Sequence, residues 1–215
     1  MPTGQESTIS FADRAANWYL HGMSPLHPAS LPDLLRRNLP FRDRRVLDLE
    51  GFRRAAVLVP FLPAGEGSGL LLTKRTDEVE THKGQISFPG GVMDQRDSDI
   101  VQTALRESEE ELGINSGGIE VLGVLDDIAT PTGFVITPVV GLLDALPSMT
   151  VNPAEVAEAF VVPVAFFLDP ANGHVEQRMF RGEYRDVWFY GSGDRLVWGA
   201  TAMIIRSLLA RLDLV

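Results

Sequence analysis

One stretch constrains this chain more than any other: residues 90 to 114, reading GGVMDQRDSDIVQTALRESEEELGI. Its second half has helical spacing. At about 100° per residue, Val101, Ala104, Leu105, Ser108 and Leu112 fall on one face. The pattern predicts a helix over residues 98–112, with Asp97 or Ser98 capping its start and Gly113 ending it. Asp97 and Asp99 suit the positive end of its dipole. A helix with one apolar face must bury that face, and the neighbouring runs offer a sheet to receive it. Residues 55–62, 70–74, 119–125, 134–143, 175–181 and 184–190 read as strands, and 63–69 as a turn. Further helices are expected at 8–21, at 30–38 from Ser30, Leu31 and Pro32, and at 200–212, with a short helical or irregular piece at 154–160. Strands interleaved with a few helices predict an α/β fold, a mixed sheet covered by helices. The expected organisation is one domain over 1–215, with a helical N-terminal extension to about residue 50 and a core from about 51 onward.

The chemistry lies on the adjoining face of the same helix. Glu107, Glu110 and Glu111 stand at i, i+3 and i+4 and gather together, whereas Glu109 points away. A run of glutamates on a helix is usually a solvated face. Here the like charges repel one another and sit at the negative end of the helix dipole. Three neighbouring features favour a functional reading. Pro89, Gly90 and Gly91 form a tight loop whose N–H groups can approach phosphate oxygens without interference from a Cβ. Ser108 lets another backbone come close, and Gly113 closes the helix directly after the acidic cluster. A hard dication, Mg²⁺ or Mn²⁺, would turn the repulsion into attraction and bridge to substrate phosphates. Arg106 can hold one carboxylate through a bidentate contact.

The formal net charge is −10, which argues against a nucleic-acid partner, because that affinity comes from Lys and Arg neutralising phosphates. A small anionic substrate then needs local positive charge, for instance from a bound metal. With no cysteine in the chain, disulfides, thiolate nucleophiles and Cys-based zinc sites are excluded. Thr8, Phe11, Asp13, Arg14 and Asn17 do not form the apolar core of a signal peptide. The longest apolar run, 157–168, contains Glu158 and Pro163 and is too short to span a bilayer. A soluble, cytoplasmic protein with no membrane partner is expected, as a monomer or homodimer.

The stretch resembles the Nudix hydrolases, whose box runs Gly, five residues, Glu, seven residues, Arg-Glu, apolar, any, Glu-Glu, any, Gly, apolar. Gly91, Arg106, Glu107, Glu110, Glu111, Gly113 and Ile114 stand in those roles. Asp97 replaces the first Glu, one extra residue precedes Arg106, and Ser108 takes an apolar position. The resemblance implies a Nudix-type α/β/α sandwich with Glu107 and Glu111 as principal metal ligands. Glu110 would add a ligand or act on water, and Arg106 would serve in the catalytic set. The flanking sequence is similar to the coenzyme A pyrophosphatase branch: Leu71, Leu72, Thr73 and Arg75, then His82, Gly84, Gln85, Phe88, Pro89, Gly90 and Gly91. ITPVVG at 136–141 and VWGATAMII at 197–205 extend it, while Glu80 replaces a residue that is basic in many members. Arg75, His82, Gln85, Phe88, Gly90 and Gly91 are thereby implied to bind substrate. Coenzyme A or a derivative would be cleaved to 3′,5′-ADP and 4′-phosphopantetheine. ADP-ribose or another nucleoside diphosphate derivative is the alternative, and a non-catalytic binding module is the third.

Several residues carry two readings. Lys74, Arg75, His82 and Lys83 are apt phosphate partners or plain surface-loop residues. His82 has no second histidine nearby with which to build a His-rich metal site. Trp188, Phe189, Tyr190 and Trp198 can stack on adenine, although aromatic residues in strands are more often core. Ile204, Ile205, Leu208, Leu209 and Leu212 form a packing stripe, or else a dimer contact. No nucleophile-elbow sequence is present, which disfavours a covalent serine hydrolase. The general base is open among Glu110, Glu155 and Glu158.

Overall fold

Alternation along one central strand organises the molecule. The computed structural model describes residues 30–39, 44–64, 67–77, 83–180, 182–191 and 193–215. The helix expected at 8–21, together with Glu80 and His82, lies outside them. Helix α1 (Ser30–Asn38) is followed by β1 (Arg53–Ala64), β2 (Gly67–Arg75), β3 (Ile86–Ser87) and β4 (Gly90–Val92). Then come α2 (Ile100–Leu112), β5 (Glu120–Val124), β6 (Ile128–Ala129), β7 (Phe134–Leu142) and β8 (Val156–Pro163). The chain continues through α3 (Val164–Leu168), β9 (Gly173–Phe180), β10 (Glu183–Tyr190), β11 (Val197–Trp198) and α4 (Gly199–Arg211).

Strand β1 runs parallel to β7 along nine residue pairs, from Arg53 beside Phe134 to Phe61 beside Leu142. Its other edge pairs antiparallel with β4 near its start and with β2 near its end. Strand β2 in turn carries β8 and β3, and β7 carries β5 and β6, which completes a mixed sheet. Because side chains alternate across a strand, Ala56, Leu58 and Leu62 enter a core with Ala104 and Leu112 of α2. Val59 and Phe61 enter a second core, on the opposite face, with Leu35 of α1 and Ile204, Ile205, Leu208 and Leu209 of α4. The result is an α/β/α sandwich.

The stripe on α4 is therefore internal packing and not a dimer contact. Residues 154–160 correct the helical or irregular expectation: most of them belong to β8, which runs antiparallel to β2 from Gly69 beside Pro163 to Arg75 beside Val156. Ala and Glu favour helix locally, but the unpaired backbone along β2 offers a hydrogen-bonded ladder that outweighs so weak a preference. Strands β9, β10 and β11 form a separate antiparallel sheet. Among the described residues no helix is long and apolar enough to cross a membrane.

Candidate metal and diphosphate site

Helix α2 begins later than its sequence suggests. Asp99 is the cap, accepting from the N–H of Gln102, which corrects the assignment to Asp97 or Ser98. Asp97 is buried and pairs with Arg106: Nε and Nη2 of the guanidinium donate to Oδ1 and Oδ2 at 2.8 and 3.0 Å. The neighbouring Arg106 holds the Asp97 carboxyl far below the ordinary carboxylate range. At its far end α2 stops as expected. Gly113 adopts φ 68° and donates to Glu109 O. The last carbonyls are taken up from outside, with Asn152 N–H donating to Glu111 O at 2.8 Å and Thr150 N–H to Leu112 O at 2.9 Å. Those two bonds fasten the loop that carries Glu155 to the acidic end of the helix.

Two glycines let β4 fit closely, Gly90 against β1 and Gly91 against α2. A Cβ on Gly90 would fall 2.3 Å from Ala56 O, and one on Gly91 would fall 2.4 Å from Cδ of Glu107. Glu107 is thus seated directly on the Gly91 backbone. Glu111, whose side chain is only 3% exposed, accepts from Gly90 N–H at 3.3 Å. Arg75 at the end of β2 stands 3.9 Å from its other oxygen. Ser108, completely buried between these turns, donates to Ala104 O and adds little bulk where α2 meets the sheet.

Burial dominates the electrostatics. It pushes the Glu111 carboxyl up to about 8, with Arg75 opposing and the charges of Glu155 and Glu107 adding. Burial also raises Glu107, against the pull of Arg106. Glu107 is answered by Arg106 at 2.9 Å, but the more deeply buried Glu111 has one arginine, Arg75, at 3.9 Å and is left short of positive charge. Nε of that arginine is itself buried without a hydrogen-bond partner. Hard oxygen donors in this state suit Mg²⁺ or Mn²⁺.

Of the expected trio of carboxylates, Glu107 and Glu111 face the Gly90–Gly91 backbone and Glu110 does not. Glu110 is 51% exposed and turned toward Arg106 Nη1 at 2.9 Å, and among the described residues no group of three acidic or histidine side chains is placed to hold a metal ion. The cause is Arg106, which also contacts Glu107 at 2.9 Å and donates to Val92 O. The guanidinium of Arg106 is engaged on Asp97, Glu107, Glu110 and Val92, which fixes the position of both glutamates.

The other expected residues divide between two places. Arg75, Gly90 and Gly91 converge on Glu107 and Glu111, as described. Gln85 lines an open cleft of about 370 Å³ with Lys74, Lys83 and Trp198, on the α4 side of the sheet. Phe88 is buried in the core on that side. Of the aromatic residues, Phe189 and Tyr190 are buried and Trp198 is exposed. Glu158 is turned to Arg195, whose guanidinium lies over Phe160, so Glu155 is the later carboxylate whose charge reaches the pair.

Sequence reasoning missed a buried polar cluster around Asp127. Arg44 Nη1 and Thr137 Oγ1 each donate to its Oδ1 at 2.7 Å, and Leu47 N–H donates to Oδ2. Its only sequence signal is an aspartate and a threonine beside apolar runs. The cluster ties residues 44–47 to β7.

The NUDIX domain family model matches residues 51–189. The chain belongs to the Nudix family. It is 41% identical over 182 residues to the Nudix hydrolase NudL of Photorhabdus laumondii, covering 83% of this chain and 96% of that one. It is 37% identical to the NudL of Enterobacter sp. over 188 residues, covering 87% and 97%. A Nudix hydrolase from Alicyclobacillus acidocaldarius shares the fold with a TM-score of 0.51 at 18% identity, over 76% of this chain and 93% of that one. Helix α2 with the glycines of β4 and the segment between them carries the residues that resemble the Nudix box, and this Nudix hydrolase presents Glu107 and Glu111 there.

Proposed function

We propose that this Nudix enzyme hydrolyses the diphosphate linkage of coenzyme A or a derivative of it. The observation that carries the reading is the pair Glu107 and Glu111, buried against the backbone of Gly90 and Gly91. Both groups are raised by burial, and a binding module gains nothing from two such carboxylates. Glu107 and Glu111 would hold the metal ion, with Glu110 reaching it only by leaving Arg106. Mg²⁺ or Mn²⁺ bound there supplies Lewis acidity, polarising phosphoryl oxygens and lowering the pKa of water. Arg75 and the Gly90–Gly91 backbone orient the diphosphate, and Arg106 fixes Glu107. Glu155 takes the proton of the attacking water. The water oxygen joins one phosphorus, the bridging P–O bond breaks, and the other phosphate leaves.

Coenzyme A is favoured by the chemistry of the cleft at the end of β2. Lys83 supplies positive charge for a phosphate, beside Lys74, which is paired with Asp194 at 3.6 Å, and the exposed ring of Trp198 offers a stacking surface. The test is to incubate the protein separately with coenzyme A and with ADP-ribose, with Mn²⁺ or Mg²⁺, and to identify the products by mass. Metal-dependent release of 4′-phosphopantetheine, faster than cleavage of ADP-ribose, is expected. Preference for ADP-ribose would overturn the substrate assignment, and no cleavage of any nucleoside diphosphate derivative would overturn the reaction itself.

A further inference from the structure

Strand β9 is an open edge. It pairs with β10 in unbroken register over eight residues, Gly173 beside Tyr190 to Phe180 beside Glu183, and among the described residues no strand pairs with its other side. Proteins usually guard such edges with Pro, Lys, a bulge or a very short strand. Strand β9, GHVEQRMF, has no Pro, Lys or bulge, and its two charged side chains, Glu176 and Arg178, are of opposite sign. Its outer half is also apolar in the wrong place for a solvated hairpin: Val175, Met179 and Tyr184 are 39%, 60% and 66% exposed, and they share one face of the hairpin.

Backbone geometry limits how this edge can be used. A two-residue link joins Phe180 to Glu183, so that closing pair exchanges its hydrogen bonds within the hairpin. Alternation then turns the N–H and C=O groups of Val175, Gln177 and Met179 outward. A strand that meets a second copy of itself antiparallel has only a few registers that join those groups. Centred on Gln177, the pairing sets Glu176 opposite the partner's Arg178, Arg178 opposite the partner's Glu176, and Val175 opposite the partner's Met179. Centred one residue to either side, it sets Glu176 against Glu176 or Arg178 against Arg178, which is repulsive. Of these three registers only the one centred on Gln177 is self-complementary, and it is also the one that pairs every outward-facing residue from Val175 to Met179.

We propose that β9 is a homodimer interface, in which two copies join edge to edge about a two-fold axis at Gln177 to form a continuous six-stranded sheet. The contact is isologous and closed, so it satisfies the edge without building a fibre. Glu176 and Arg178 already lie together at 2.6 Å within one strand, and pairing across the axis joins the two ion pairs into one four-membered network.

The test is sedimentation equilibrium of the full chain across a wide concentration range, with Glu176→Arg, Arg178→Glu and the double swap alongside. Wild type is expected to dimerise, and each single substitution to weaken the dimer by about tenfold or more, because both cross-axis pairs become repulsive. The double swap should restore it, and an equimolar mixture of the two single variants should form the heterodimer. Unchanged thermal melting of the hairpin variants would show that the fold is intact. A wild type monomeric at every concentration would refute the interface. So would a dimer indifferent to the single substitutions, or one that the double swap fails to restore.

Discussion

Glu111 should make the metal-free protein less stable as pH rises, and Glu111→Gln should abolish that loss. Folding raises this carboxyl from an ordinary 4.5 to about 8. Below the lower value both folded and unfolded chains hold the proton, and above the upper value neither does. Between them only the folded chain keeps it, so stability falls throughout that window. At about 1.4 kcal/mol per pH unit, the full span is worth about 5 kcal/mol. A side chain 3% exposed leaves little solvent to screen the effect. For a chain of this size the loss corresponds to a drop on the order of 10 °C in Tm. The assay is thermal unfolding in EDTA across that window, wild type beside Glu111→Gln. The variant should be the more stable of the two at high pH, and Mn²⁺ should recover the wild type but not the variant. Parallel profiles for the two proteins would refute the burial argument.

Other consequences follow from the same geometry. Gly91→Ala places a methyl group where the Glu107 carboxylate sits; turnover should fall by about a hundredfold, with a smaller change in Tm, as steady-state kinetics and melting would show. Asp97→Asn removes a buried partner of Arg106 and should cost about 3 kcal/mol in urea unfolding, while lowering turnover through the displaced Glu107. Trp198→Ala should raise KM for coenzyme A several-fold and leave kcat nearly unchanged, measured against the same metal concentration.

Much of this site is legible in the sequence because its signals are local. The Gly113 stop, the separation of Glu109 from Glu107 and Glu111, and the need for glycine at 90 and 91 all follow from helix periodicity and the absence of a Cβ. What escapes is set by contacts distant in sequence. Asp97, Ser98 and Asp99 are all competent caps, and the choice is made by Arg106 drawing Asp97 inward. Arg106 also takes Glu110 out of the acidic group, although its i, i+4 spacing was visible. Phe88 follows the glutamine and precedes the glycines of a binding loop, yet one strand alternation sends it into the core. The start of strand β8 escapes because Ala157, Glu158 and Ala159 prefer helix, and pairing with the backbone of β2 makes them extended. The two-residue and three-residue strands β3, β4, β6 and β11 are shorter than any periodicity can register.

The central claim is that Glu107 and Glu111, seated on Gly90 and Gly91, carry metal-dependent hydrolysis. It is tested most directly by the turnover numbers of Glu107→Gln, Glu111→Gln and Glu109→Gln beside wild type, at saturating Mn²⁺ and a pH above the value of about 8 to which burial raises the metal-free Glu111 carboxyl. The first two are expected to lose at least about a hundredfold while Glu109→Gln stays close to wild type; equal losses in all three, or full activity in Glu111→Gln, would contradict it.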